Sequence, residues 1–316
     1  MKGFRFIAIG IFWVLMTTIF SVYADPVVPE DNSEPVLVQN ILSIHATQAN
    51  WTFSGIVTNE NGERYDYFFQ IERNNNRFHG LATVIDAQSK AVLIYEEGST
   101  LIAQPELTHW QVGNMFLRFN PINNSWVFGV KNKGKKSFNF KVDMFGLSDA
   151  QLSKQQNLRP GIELLISQTG RLNGHLQIDE AGKEQFVTAK RSWFRQIWVS
   201  KPQVSRHQFT SVLCEFNDGS AFYSVTIPEA DALRGSVAGW RDEEGIPHSM
   251  SQFVTVGEIK EGDWQIDVSA PKMTLSWPNL LYKINETKQL SAGVITGVKS
   301  GFCAVSKDEI EEQPLA

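Results

Sequence analysis

The sequence predicts an all-β protein made of two successive sheet units, and three observations carry that reading. Short alternating runs, split by turn residues roughly every 8–12 positions, recur along the chain, as in a β-sandwich or barrel. Aromatic residues make up 11% of the 316 positions, with 21 Phe and 9 Trp, a load that suits half-buried strands. No long amphipathic helical pattern interrupts them. With 42% hydrophobic and 20% charged residues the chain can bury a core, so disorder is excluded. The length suits two domains or one large β-domain.

The elements follow in order. Residues 1–24 read as a secretory signal peptide: Lys2 and Arg5, an apolar run from Phe6 to Phe20, then Val22 and Ala24 at the small-residue positions before a cut after Ala24. An uncleaved anchor is the alternative, with a run slightly short for a span of ~20 residues. Residues 25–43 form a polar, proline-containing leader. No second long apolar segment occurs, so no membrane span is expected after cleavage. The mature chain is expected in the periplasm or secreted.

The first β-unit, residues 44–200, opens with Trp51–Val57 and Arg64–Ile71 around Asn61-Gly62, a hairpin signal. Phe78–Ile85 follows across Asn74-Asn75-Asn76, then Ala91–Tyr95, Leu107–Val112, Met115–Phe119, Trp126–Val130 and Phe138–Met144. Ser148–Gln156 is polar, opens with Ser-Asp and is expected to be a short helix. Gly170–Ile178, Gln185–Ser192 and Phe194–Val199 resume the strand pattern. The second unit, residues 201–316, repeats the order, with Phe209–Phe216 and Ala221–Ile227 around Asp218-Gly219. Later strands are Val237–Arg241, Gln252–Val256, Trp264–Val268 and Met273–Trp277, and Gly293–Val305 closes the chain as one strand.

Charge and motifs exclude several functions. The net charge is −5, and −7 once Lys2 and Arg5 are removed, which lacks the basic footprint of a nucleic-acid partner. Two cysteines cannot build a thiolate metal cluster. In an oxidising compartment Cys214 and Cys303 form either a disulfide or two separately buried thiols, and the sequence leaves both open. The six histidines share no ligand spacing, so a metal is expected only if the fold assembles one in space. No Gly-x-Ser-x-Gly elbow is present, and no cofactor is expected. Glu96 and Glu97 end a strand beside Gly98, so one of them could point into a barrel mouth.

Taken together, Trp51–Ile71, Ser167–Gly174, Phe209–Tyr223, Ser236–His248 and Gly293–Val305 make the chain resemble the two-domain AttH and carotenoid 1,2-hydratase family. The resemblance rests on the order of these segments. It implies two lipocalin-like β-barrel domains in tandem. The family's junction motif, Trp-x-Asp-His-x-Trp, is matched here by Trp193-Phe194-Arg195-Gln196-Ile197-Trp198. Both tryptophans are kept, but Arg195 and Gln196 replace the Asp and His. Hydration of an alkene needs a group that protonates carbon and a base that activates water. Arg stays protonated and Gln does not titrate.

The expected function is therefore binding of a small hydrophobic or amphipathic molecule without hydratase chemistry. Trp51, Trp193, Arg195, Gln196 and Trp198 are the candidate ligand-binding residues. On a strand Arg195 shares a side with Trp193, and Gln196 with Trp198, so one tryptophan can be a pocket wall and the other core. An arginine in an apolar barrel needs an anionic partner, a ligand carboxylate or a nearby Glu. The competing readings are a hydratase, isomerase or cyclase with other catalytic residues, and an envelope interaction protein with filled barrels.

Overall fold

Asn-Gly and Asp-Gly pairs set the chain reversals around which the sheets form. The computed structural model describes residues 46–311, except 106–108, 133–135, 145–154, 179–182, 204, 228–235, 249, 251–253, 261–262, 270–271, 278–279, 284–288 and 296–298. Strand β1 (Gln48–Asn59) turns into β2 (Arg64–Asn74) through Gly62, whose φ of 82° is the left-handed conformation that glycine adopts without a Cβ clash. Asn59 secures the turn by accepting the backbone N–H groups of Asn61 and Glu63 at 3.0 and 2.9 Å. Asn75, with φ 54°, turns β2 into β3 (Arg77–Asp86), and β4 (Val92–Leu101) extends the meander.

The first sheet continues through β5 (His109–Val112), β6 (Met115–Asn120), β7 (Ser125–Val130), β8 (Ser137–Asp143), β9 (Gln156–Arg159), β10 (Ile162–Gln168), β11 (Leu172–Gln177), β12 (Glu184–Ala189) and β13 (Trp193–Val199). Its order is β4-β3-β2-β1-β12-β11-β8-β7-β6-β5, with β13 joining β1 to β10 and β9. This nearly closed barrel is filled by rings. Phe53 stacks on Phe128 at 4.3 Å between centroids, and Trp51 meets Trp110 at 4.5 Å. Phe69, Trp126, Phe140 and Phe194 complete the cluster, each buried.

The wall of the barrel has an irregularity in β1. Strand β1 pairs with β13 from Ala49 to Ser54 but with β12 only at Thr58 and Asn59. Between those stretches β1 has changed neighbours.

The rest of the chain forms β14 (His207–Phe216), β15 (Ala221–Thr226), β16 (Ser236–Arg241), β17 (Pro247–His248), β18 (Val254–Lys260), β19 (Asp263–Ser269), β20 (Lys272–Trp277), β21 (Leu280–Lys283), β22 (Gln289–Ile295) and β23 (Gly301–Ile310). A seven-stranded sheet runs β17-β16-β15-β14-β23-β22-β21, and β18-β19-β20 make a second sheet. Val212, Cys214, Phe222 and Val305 of the larger sheet pack against Trp264, Ile266 and Leu275 of the smaller. The opposite face of the seven-stranded sheet lies on the outside of the barrel. There Phe209, Leu213 and Val225 meet Leu164, Ile166 and Trp193, while Phe302 and Ala304 meet Ile56, Phe68 and Leu81.

Among the described residues the chain is all-β, and the fold class read from the sequence holds. Two details differ. The run expected as one closing strand is a hairpin, β22 and β23, with Gly293 opposite Cys303 and Ile295 opposite Gly301. Strand β10 escaped the alternation pattern because Leu164 and Ile166 are buried on one face and Leu165 on the other, which leaves a continuous apolar run. Of the segment expected as a helix, residues 148–154 lie outside the described residues, and Gln156 begins β9. The signal peptide and leader also lie outside them.

Candidate functional site

Strand β13 is buried along its whole length, so each of its faces is committed to a different core. Its pairing with β1 fixes which residue goes where: Trp198 sits opposite Ala49, Gln196 opposite Trp51, Arg195 opposite Thr52, and Phe194 opposite Phe53. Phe194 and Trp198 belong to the barrel interior, together with Trp51 and Phe53. Trp193 and Ile197 belong to the core between the barrel and the seven-stranded sheet. The five candidate residues therefore separate. Trp51, Gln196 and Trp198 share the inner face, whereas Trp193 and Arg195 lie on the outer one.

On the inner face Gln196 is flanked by Phe194 and Trp198 along its own strand, and by Trp51 and Leu165 across it. Neither its carboxamide oxygen nor its nitrogen has a hydrogen-bond partner, nor has the indole Nε1 of the neighbouring Trp51. Both side chains are wholly buried. A buried polar group without a partner costs about 1–3 kcal/mol. Three such atoms at directly paired positions therefore leave one donor–acceptor group and one further donor unspent inside an aromatic interior. A narrow cleft lined by Ala49, Asn50, Arg73, Trp198, Phe209 and Ile310 lies at the end of these strands, with about 10 Å³ of free volume. That is room for roughly one water molecule.

On the outer face Arg195 is enclosed by protein groups. Its guanidinium donates to Thr52 Oγ1 at 2.7 Å, Ser306 Oγ at 3.2 Å and Asp308 Oδ2 at 3.2 Å, with Asn50 Oδ1 at 3.4 Å. Asp308 also accepts from Gln70 Nε2 at 2.8 Å and from Ser306 Oγ at 3.1 Å. Burial pulls the Arg195 pKa down and the Asp308 charge opposes it. The anionic partner of this arginine is thus a carboxylate from β23. Trp193 donates its indole N–H to the Cys214 carbonyl at 2.8 Å and meets Tyr223 edge-on at 5.5 Å. Both residues fasten the barrel to the seven-stranded sheet.

A second buried polar group escaped the sequence reading. Asp66, on the outer face of β2, is 1% exposed, and neither carboxylate oxygen has a partner. Burial pushes its pKa up to about 7, with Asp86 adding and Arg64 opposing. Glu215 of β14 accepts the Ile56 backbone N–H at 3.3 Å. Its carboxyl is pushed up to about 8, chiefly by burial and further by Asp66, against the Ile56 N–H, Arg64 and Arg191. Tyr67, on the inner face, is raised by burial as well. No spacing in the sequence joins Asp66 to Glu215. Only the packing of the seven-stranded sheet on the barrel brings these two residues, 149 positions apart, within electrostatic reach.

Glu96 lies opposite Ala82 and so in the inward row of β4, half-buried, accepting from Asn114 Nδ2 at 3.3 Å; Glu97 lies opposite Leu81 and outward. Cys214 and Cys303 face each other across β14 and β23 and are joined as a disulfide, with Cα atoms 4.1 Å apart. Among the described residues no three His, Cys, Asp or Glu side chains gather as a metal site. Among them, too, no helix is long and apolar enough to cross a membrane.

No family model and no curated protein matches the chain. Solved structures do. An AttH-like protein from Nitrosomonas europaea superposes with a TM-score of 0.55 at 11% identity, over 83% of this chain and 92% of its own. Kievitone hydratase from Nectria haematococca gives 0.54 at 12% identity, over 83% and 89%. At such identity the likeness is one of fold, and the fold of this chain is the lipocalin-like, all-β architecture of those two structures.

Proposed function

We propose that the protein is an exported carrier whose first barrel, filled by its own rings when empty, opens to bind a small, largely apolar molecule through an uncharged polar group held by Gln196 and Trp51. The observation that carries this reading is the unspent hydrogen-bonding capacity of those two buried side chains. Binding sites for small molecules are mostly apolar, with a few placed polar groups. A carboxamide offers both a donor and an acceptor, and the indole adds a donor, which suits a hydroxyl or carbonyl group. The cationic side chain beside the cleft, Arg73, is engaged with the Asn75 carbonyl at 3.0 Å and lies over the Phe78 ring. Export is supported by the N-terminal charge and apolar pattern, and a bonded cysteine pair suits an oxidising compartment.

The test pairs 2-naphthol with 2-naphthoate, which share an apolar body, and follows quenching of tryptophan fluorescence. Naphthol is expected to bind the tighter of the two. Gln196→Leu should weaken naphthol at least about tenfold while stabilising the empty protein by about 1–3 kcal/mol, because an unpartnered polar group is removed. Absence of quenching by either compound, with no lipid-like species recovered from the purified protein by mass spectrometry, would refute the reading.

A further inference from the structure

Where β1 leaves β13 and joins β12, residues 55–57 have no strand neighbour on that side. Such a break would leave a backbone N–H unpaired within the wall. Ile56 instead donates its N–H to Glu215, a side chain that arrives from the other sheet. Gly55 keeps that opening clear: a Cβ there would stand 2.7 Å from Glu215 Oε2, so the carboxyl would have to shift, and 3.0 Å from Ser192 Oγ. Gly55 lies opposite Tyr67, a residue of the barrel interior. The gap therefore opens toward the ring-filled core, and a carboxyl group stands in it.

We infer that Glu215 is a proton-operated plug in the barrel wall: its neutral carboxyl fills the gap beside Gly55, and its ionised form leaves it. Of the groups around it, burial and Asp66 favour the neutral form, and the Ile56 N–H, Arg64 and Arg191 favour the ionised one. From β2 come Asp66, whose charge would repel a carboxylate, Arg64 at the outer end and the Tyr67 hydroxyl. Arg191 precedes β13, Ser192 offers a hydroxyl, and Asp86 of β3 adds negative charge beside Asp66. Within its own sheet Glu215 is flanked by Phe302 and Ala221, both apolar. The residue as a whole is half-buried. Arg64 reaches toward Asn217, at 2.5 Å. The raised pKa of Glu215 agrees with a neutral plug.

The sign of the pH effect follows from linkage. An acid that is neutral in the closed state and ordinary in the open one holds the gap most tightly below its ordinary pKa. The hold weakens as pH rises and levels off above the closed-state value. This inference does not rest on the ligand proposal, because its readout is an amide of the empty protein. Hydrogen exchange at Ile56, corrected for intrinsic rate, should lose about tenfold in protection per pH unit between pH 5 and 8. In Glu215→Gln, whose side chain stays neutral and still accepts the N–H, protection should be independent of pH over that range. A flat wild-type profile, or one shared by Glu215→Gln, overturns the inference. The carboxyl ¹³C shift of Glu215 in the wild type provides a check that needs no variant. A midpoint above the ordinary carboxylate range and below the closed-state value of about 8 supports the plug; one in the ordinary range, or one at the closed-state value, sinks it.

Discussion

Asp66 shows what burial does to a single side chain. In water a carboxylate keeps its hydration, but here it is enclosed between Ile56, Phe68 and Ile85 with no donor in reach. Its folded pKa of about 7 lies above the ordinary 3.8, so the proton is held by the folded state. The cost of this group is absent below about pH 4, grows as pH rises and is complete above about 7. Asp66→Asn should therefore stabilise the protein at pH 8 by up to about 4 kcal/mol and have little effect at pH 4. Urea unfolding at the two pH values measures this directly. Equal effects at both would mean that the carboxyl is hydrated. Glu215 has the same sign, whereas Asp218, Asp242 and Asp267, whose carboxyls are held below the ordinary range by hydrogen bonds, act in the opposite sense.

At the scale of elements, alternation decides which faces a strand presents, and pairing decides what those faces meet. Strand β1 could be read in outline from Trp51, Phe53 and Val57, and the Asn-Gly turn after it was equally visible. That Gln196 should stand opposite Trp51 was not, because register between strands almost 150 residues apart depends on everything folded between them. The disulfide illustrates the same division. Its cysteines are 89 positions apart, and their adjacency follows from the continuous pairing of β14 with β23. In the chain-entropy account a loop of that length is worth about 4 kcal/mol. The double variant Cys214→Ala/Cys303→Ala should lose roughly that much stability in denaturant titration while keeping its β-sheet circular dichroism.

At the scale of the whole molecule, a polar seam joins the barrel to the seven-stranded sheet. Arg195, Thr52, Asn50 and Gln70 come from one side, and Ser306 and Asp308 from the other. A buried pair of this kind contributes little net stability, but removing one partner strands the other's charge. Asp308→Asn is expected to cost about 3–5 kcal/mol, and Arg195→Met combined with it should recover most of the loss. A double-mutant cycle by urea unfolding tests the coupling; additive losses would show that the two side chains do not depend on each other.

What the sequence determined by itself was local. The strand periodicity, the turn residues and the aromatic content required a β-protein, because those properties act between near neighbours. Parity alone also separated Arg195 from Gln196 on the Trp193–Trp198 strand. Tertiary structure decided which side of that strand faces the barrel interior, supplied Asp308 as the partner of Arg195, and brought Asp66 and Glu215 together. Those outcomes depend on desolvation and on long-range register. Both are properties of surfaces that exist only after distant strands have paired, so no stretch of the chain contains them.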